Sequence, residues 1–460
     1  MSGRVCANRS AAKAFVLLLC SISILPGNAR GNEKVRGDGA EGVKASRPGI
    51  TVVANNSRLK MAIYQWSYEG GAYRLLRDTE ICDAHVLPHT HNHLGVGDIS
   101  GDGQDDVVIG TSDGVYMIDG EGSAFCRRII EPEQQRVFVG FMLAVGDYDG
   151  DGLDEIIYAS LGGVTMYGWN GNSIQRENEI NMRPGEIALA DLDGDGKVEM
   201  LFKKYGDSIR IYQYKQRRCT LKAELTKSPD WRGFGREKFD ARPQELRLGM
   251  SSGQTGGDKF IFPIVMTTFQ HFDTLDFNDD SYPDIAVCGM GGVQIICNRG
   301  GREFEPAGFA GDITSFGPHL KVCDVDHDGR EDVVVSVKKE MIVLGVDRDG
   351  VLGRKFATGN QNEANGSARQ RSVRSPISSV MGPGYRHMKF FDTDGDGKGE
   401  LVTPEYTGVD VCRVAVWKYE GGSSPGLRKA WSSDEHFYGS AWIVEGRLSQ
   451  KIQDRLEQLE

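Results

Sequence analysis

DTDGDGKGE, residues Asp392 to Glu400, decides the fold because it recurs. DISGDGQDD begins at Asp98, DYDGDGLDE at Asp147 and DLDGDGKVE at Asp191. DFNDDSYPD begins at Asp276 and DVDHDGRED at Asp324. Each copy has an oxygen-bearing side chain at positions 1, 3, 5 and 9, and five have Gly at position 6. A lone Asp-Gly turn is commonplace. Six turns in one register are a repeat.

A hard cation accounts for the pattern. Calcium takes six to eight oxygen ligands at about 2.3–2.6 Å in a flexible shell. Alternate side chains of a tight turn point at one centre, and Gly permits the turn. The predicted calcium ligands, for up to six ions, fall into two grades. Four loops carry carboxylates throughout: Asp147, Asp149, Asp151 and Glu155; Asp191, Asp193, Asp195 and Glu199; Asp324, Asp326, Asp328 and Asp332; Asp392, Asp394, Asp396 and Glu400. Two are weaker: Asp98, Ser100, Asp102 and Asp106 include a neutral hydroxyl, and Asp276, Asn278, Asp280 and Asp284 include an amide, with Ser281 in place of Gly.

Loop starts are separated by 49, 44, 85, 48 and 68 residues. An apolar strand precedes each loop (HLGVGD, MLAVGD, EIALAD, HFDTLD, HLKVCD, HMKFFD). Another follows (VVIGT, EIIYAS, EMLFKK, DIAVCGM, DVVVSV, ELVTPE), then a third and a weaker fourth. Four short strands at a period of 44–49 predict a propeller blade. The fold class is therefore all-β, a seven-bladed β-propeller with the calcium loops between the first and second strands of six blades. Residues 49–446 form it, with inserts at about 225–270 and 355–385. The first insert contains one strand pair, QELRLGM and FIFPIVMT. The N-terminal strands ITVVAN, LKMAIYQWSY and AYRLLRDTEI make the seventh blade. GSAWIVEG, Gly439 to Gly446, would supply its innermost strand and close the ring.

The flanking segments read differently. Arg4, Arg9 and Lys13 precede the apolar run AFVLLLCSISIL, and Gly27 and Ala29 suit cleavage, so residues 1–29 are predicted to be a signal peptide. The run is too short to span a bilayer, and no transmembrane segment is expected in the mature chain. Residues 30–48 are a polar linker, and residues 447–460 a polar tail with helical spacing of Leu448, Ile452, Leu456 and Leu459. The expected location is secreted, extracellular or periplasmic. The formal net charge is −11, which argues against a nucleic-acid partner. Of the nine cysteines, Cys288 and Cys297 flank a hairpin and are the candidate pair in an oxidising compartment, while buried free thiols are the expectation for most.

The DxDxDGxxD loop between the first two strands of each repeat resembles the FG-GAP and VCBS repeats of integrin-alpha-like propellers, over about residues 50 to 446. The Phe-Gly and Gly-Ala-Pro flanks are largely absent, Phe316-Gly317-Pro318 being the nearest trace. The resemblance implies a calcium-stabilised propeller that binds its ligand on the face opposite the calcium loops. It also implies a range of functions, from adhesion and lectin activity to carbohydrate processing.

Counting five residues back from each loop finds His93, Met142, Glu186, His271, His319 and His387. In a propeller these positions lie at the end of the innermost strand away from the loop and are expected to encircle that mouth, with His89 and His91 nearby. Three readings stand. The imidazoles and Glu186 bind a transition metal such as zinc, copper or iron. They serve as acid–base groups in a lyase or hydrolase. Or they pack the blade junctions. Trp169, Trp231, Trp417 and Trp442 are candidate sugar platforms or core residues. Asn55 and Asn365 open glycosylation sequons. No Walker loop, GxSxG elbow or Cys–His nucleophile pair is present. The reading is a secreted binding module for a protein or glycan. A polysaccharide lyase or a metalloenzyme using the histidine ring is the alternative.

Overall fold

The computed structural model describes residues 49–55, 60–82, 94–103, 105–111, 114–118, 126–130, 142–160, 163–182, 184–204, 208–227, 251–252, 258–262, 269–289, 292–310, 319–337, 340–346, 351–358, 388–406, 411–423, 425–433 and 437–445. The predicted signal peptide, linker and C-terminal tail lie outside them. So do most of both inserts, His89, His91, His93, His387, Trp231 and the sequon at Asn365.

Within the described residues there are strands and no helix. They form seven antiparallel four-stranded blades, two of them joined through the closing strand and one extended by two further strands, a seven-bladed propeller-like fold. Blade three shows the plan: Met142–Gly146 innermost, then Glu155–Ser160, Gly163–Trp169 and Ile174–Ile180. Alternation dictates it. In Gly163–Trp169, Val164 and Met166 are buried and Thr165 and Tyr167 are partly exposed, as a half-covered strand requires. Each blade packs on the next through aliphatic clusters. One runs from Ala188 and Leu201 of blade four to Phe272 and Val287 of blade five. Another runs from Val334 and Val343 of blade six to Leu401 and Ala415 of blade seven.

The ring closes as the strand count required. Phe437–Glu445, the last described strand, pairs antiparallel with Gly49–Asn55, the first, with Gly49 opposite Glu445 and Asn55 opposite Gly439. It also meets blade seven where Val411 pairs with Tyr438. The seam is aromatic. Trp66 is fully buried among Tyr73, Phe391, Trp431 and Ile443.

Two expectations shift. In the first insert the strand pair is Ser251–Ser252 with Asp258–Phe262, and the latter runs parallel to the outer strand of blade four, Arg218–Lys227. Cys288 and Cys297 are free thiols. They stand on adjacent strands at opposite ends of the ladder: Cys288 faces Val293, while Ile296, beside Cys297, faces Ile285. That separation exceeds disulfide reach.

Candidate metal loops and the channel histidines

All six loops share one backbone architecture. The carboxylate at position 1 accepts hydrogen bonds from amides further round the turn. Asp191 takes Gly194 N at 2.8 Å, Asp195 N at 3.1 Å and Gly196 N at 2.9 Å. Asp98, Asp147, Asp276, Asp324 and Asp392 do the same work in their own loops. Position 6 is left-handed throughout, and so is position 4. Glycine fills most of these sites, but Asp279, Ser281 and His327 hold φ of 58°, 69° and 58°. The position-6 rule was legible in the sequence. The position-4 requirement was masked because Asp279 and His327 satisfy it without glycine.

Position 9 opens the second strand and is buried in every loop, from Asp284 at 0% to Asp106 at 7% exposure. In four of the loops its carboxylate accepts from the amide of position 2, as Glu155 does from Tyr148 N at 3.0 Å and Glu199 from Leu192 N at 2.9 Å. Burial pushes Glu155 up to about 9, with the charge of Asp149 adding to it. Burial likewise pushes Asp284 and Asp332 up to about 6. Crowded, desolvated carboxylates of this kind call for a positive charge.

Four groups bring three or more ligand oxygens within 4.8 Å of one another. They are Asp147, Asp149, Asp151 and Glu155; Asp191, Asp193 and Glu199; Asp324, Asp326 and Asp332; Asp392, Asp394 and Glu400. These are the four loops with carboxylates at every ligand position. Asp193 Oδ1, Asp326 Oδ1 and Asp332 Oδ2 are buried with no hydrogen-bond partner among the described residues. An all-oxygen donor set with orphaned oxygens fits a hard cation. The loops at Asp98 and Asp276, expected to be weakest, form no such group among the described residues.

Side chains from neighbouring blades lock the loops together. Asp154 of blade three accepts from Asp98 N of blade two at 2.9 Å, and Glu331 of blade six accepts from Asp276 N of blade five at 2.8 Å. Fully buried Asn298 donates to Leu192 O at 2.6 Å and Pro283 O at 3.0 Å, tying blade five to the loop of blade four. Sequence reasoning missed all three, because no motif marks a residue that acts across a blade junction.

At the other end of the innermost strands, the shared register of Glu186, His271 and His319 is real. They pair with Lys203, Cys288 and Ser336, equivalent positions of the second strands. Blades four, five and six bring the three together. Glu186 Oε1 lies 3.2 Å from His271 Nδ1, and Glu186 Oε2 accepts from Phe272 N at 3.1 Å. The His271 and His319 rings stack at 4.4 Å. The expected open mouth is a buried junction here, the three side chains being 0%, 1% and 3% exposed. Burial pushes the Glu186 carboxyl well above the usual range, while Lys203 and the Phe272 amide pull it down. The three are not among the groups that converge ligand atoms within 4.8 Å.

Two residues further along, Asp273 pairs with Lys321 at 2.9 Å and accepts from Val322 N at 2.9 Å. Lys389 occupies the same position in blade seven. Burial and the Lys321 charge push it down to about 7. This chain of charge across blades five to seven carries no sequence motif. Of the candidate tryptophans, Trp417 is buried and its indole donates to Thr403 Oγ1 at 3.3 Å, so it belongs to the core. Trp169 is partly exposed.

Comparison with known proteins supports the fold. No curated protein matches the chain by sequence. A lectin from Agrocybe aegerita, described as recognising non-reducing terminal N-acetylglucosamine, is similar at 15% identity and TM-score 0.52, covering 88% of this chain and 96% of that one. A putative 6-phosphogluconolactonase from Bacteroides uniformis has 10% identity and TM-score 0.47, covering 87% and 100%. A periplasmic gluconolactonase from Pseudomonas aeruginosa has 12% identity and TM-score 0.44, covering 87% and 100%. No helix among the described residues is long and apolar enough to cross a membrane. The family of FG-GAP-like repeats matches residues 147–202 and 276–335, each span holding two of the acidic loops, so the chain contains FG-GAP-like repeats.

Proposed function

We propose that this chain is a calcium-clamped propeller that binds a protein or glycan outside the cytoplasm. The observation that carries the calcium reading is the convergence of carboxylate oxygens in four loops, three of which contain a buried position-9 glutamate. Calcium would be held by Asp147, Asp149, Asp151 and Glu155 and by their counterparts at Asp191, Asp324 and Asp392. It would supply charge neutralisation and stiffening, not chemistry. Extracellular calcium is abundant enough to fill weak sites. The loops at Asp98 and Asp276 would bind more weakly.

The ligand face is placed opposite the loops, where both inserts and the histidine register lie in the chain order. The Agrocybe aegerita lectin supports a glycan as the first ligand class to try. Binding on a glycan array, run in millimolar calcium and again in chelator, tests this. Glycan signal in calcium that disappears in chelator is the expected result. An empty array alongside capture of a defined protein ligand would move the reading to protein binding.

The alternative is a transition-metal or acid–base centre at Glu186, His271 and His319, with His93 and His387. The contact of Glu186 with His271 and the stacking on His319 favour it. Their burial, and the hydrogen bond that the Phe272 amide donates to Glu186, favour a blade-junction role. Elemental analysis tests the metal form, since the junction role leaves the protein free of zinc, copper and iron.

A further inference from the structure

The six loops are not equivalent, and the difference comes from outside them. In each of six blades a bulge in the fourth strand leaves one residue without a partner on the third. In blade three Met166 faces Asn178 and Tyr167 faces Arg176, so Glu177 is the extra residue. In blade four it is Lys222, between the partners of Ile211 and Tyr212. In blade six it is Lys355, between the partners of Val343 and Leu344. The same position is Ile129 in blade two, Ala307 in blade five and Ala430 in blade seven.

This position faces the acidic loop. Lys222 Nζ lies 2.6 Å from Asp193 Oδ2 and 2.7 Å from Glu199 Oε1. Lys355 Nζ lies 2.9 Å from Asp326 Oδ2, 3.0 Å from Asp328 Oδ2 and 2.8 Å from Asp332 Oδ1. Blade seven, with alanine at its bulge, reaches the same end from the third strand: Lys418 Nζ contacts Asp394 Oδ2 and lies 3.4 Å from Glu400 Oε1. Blade three reverses the sign. Glu177 takes a hydrogen bond from Tyr148 OH at 2.9 Å, beside the loop of Asp147, Asp149, Asp151 and Glu155. Among the described residues, none of these five carboxylates pairs with the nitrogen of a lysine or arginine.

We propose that Lys222, Lys355 and Lys418 are internal cations that occupy the ion position in three loops, leaving the Asp147 loop with Glu177 as the site that takes a divalent cation from solution first. This rests on the calcium reading above. A divalent ion entering blades four, six or seven must expel an ammonium group held by two or three carboxylates, each a charge-assisted bond. The ammonium carries one charge on a long flexible stem, so the exchange is open to mass action and depends on ion concentration. In blade three no ammonium group has to leave, and five carboxyl groups surround the ion position. Orphaned Asp193 Oδ1, Asp326 Oδ1 and Asp332 Oδ2 show that the lysines satisfy their clusters only in part. The chain would then have one loop filled at low calcium and three that fill at high calcium.

Calcium titration of the purified, calcium-stripped protein by calorimetry tests this, with equilibrium dialysis as the count. The wild type should take up one calcium at least tenfold more tightly than the rest. Glu177→Lys, which gives blade three the residue that blades four and six already tolerate, should abolish that tight event. Lys222→Met with Lys355→Met should add two tight sites. If that double variant folds only when calcium is present, shown by circular dichroism, the lysines are confirmed as ion substitutes. Equal affinities at four sites in the wild type, or an unaltered tight site in Glu177→Lys, would overturn the assignment while leaving the calcium reading intact. No calcium uptake at any concentration would overturn both.

Discussion

Trp66 and Trp431 lie ring to ring at 5.8 Å, one from the first blade and one from the last. Tyr73 stacks on Trp431 at 5.5 Å, and its hydroxyl shares a hydrogen bond of 2.6 Å with Thr393, inside the blade-seven loop. The closure of the ring is thus both an aromatic core and a contact to a candidate metal loop. Trp66→Ala should cost about 3–5 kcal/mol, the range for deleting a buried aromatic. Denaturant unfolding followed by fluorescence measures it. A loss below about 1 kcal/mol would mean that the seam contributes little.

Chelation should lower the melting temperature. Ions that bind only the folded state stabilise it by about 2.7 kcal/mol per site at a hundredfold excess over Kd. Scanning calorimetry in calcium and in chelator measures the difference. Equal melting points would rule out a clamp.

Ser281→Gly should stabilise the protein by about 1 kcal/mol. Ser281 sits at φ 69°, and a left-handed non-glycine residue costs roughly 1–2 kcal/mol. The same substitution at Ser433, whose φ is not positive, should bring no such gain. A stability loss at position 281 would show that the serine hydroxyl has a role the backbone argument omits.

Glu186→Ala should destabilise by about 1–3 kcal/mol by leaving the buried Phe272 amide unsatisfied. Chemical denaturation at neutral pH reads this. A stable variant with lost activity or metal would instead favour a catalytic centre over a junction.

Lys389 predicts a pH dependence. Its folded value of about 7 lies below the unfolded value near ~10.4. Between these values the unfolded chain holds more protons, so stability rises with pH from about 7 towards 10. Below 7 both states are charged and the cost of burying the ammonium is present in full. Lys389→Met should flatten this slope and raise the melting point at pH 6. An unchanged slope would place its origin elsewhere.

The loops and the blade count were legible because both are local. Asp and Gly spacing is written in nine residues, and a strand pair with its turn in about twenty. The closing strand was legible from arithmetic, since a seventh blade with three strands needs a fourth. What escaped depends on register across blades. Lys222 and Lys355 look like ordinary charges in outer strands until a bulge turns them toward a loop. Asn298 and Asp154 act on the neighbouring blade, and nothing near them in the chain says so. The register of Glu186, His271 and His319 was readable, but their depth was not, because burial depends on what the adjacent blades present.

The pairing of Phe437–Glu445 with Gly49–Asn55 also sets an order of events during synthesis. The first strand waits for a partner that is made only after the strands of every other blade. Until then blade one has an open edge able to pair with any strand that passes. A message truncated anywhere before Phe437 yields a chain that cannot complete its ring. Such products expose the Trp66 seam to chaperones and proteases, so the closing strand acts as a check that all seven blades have been made.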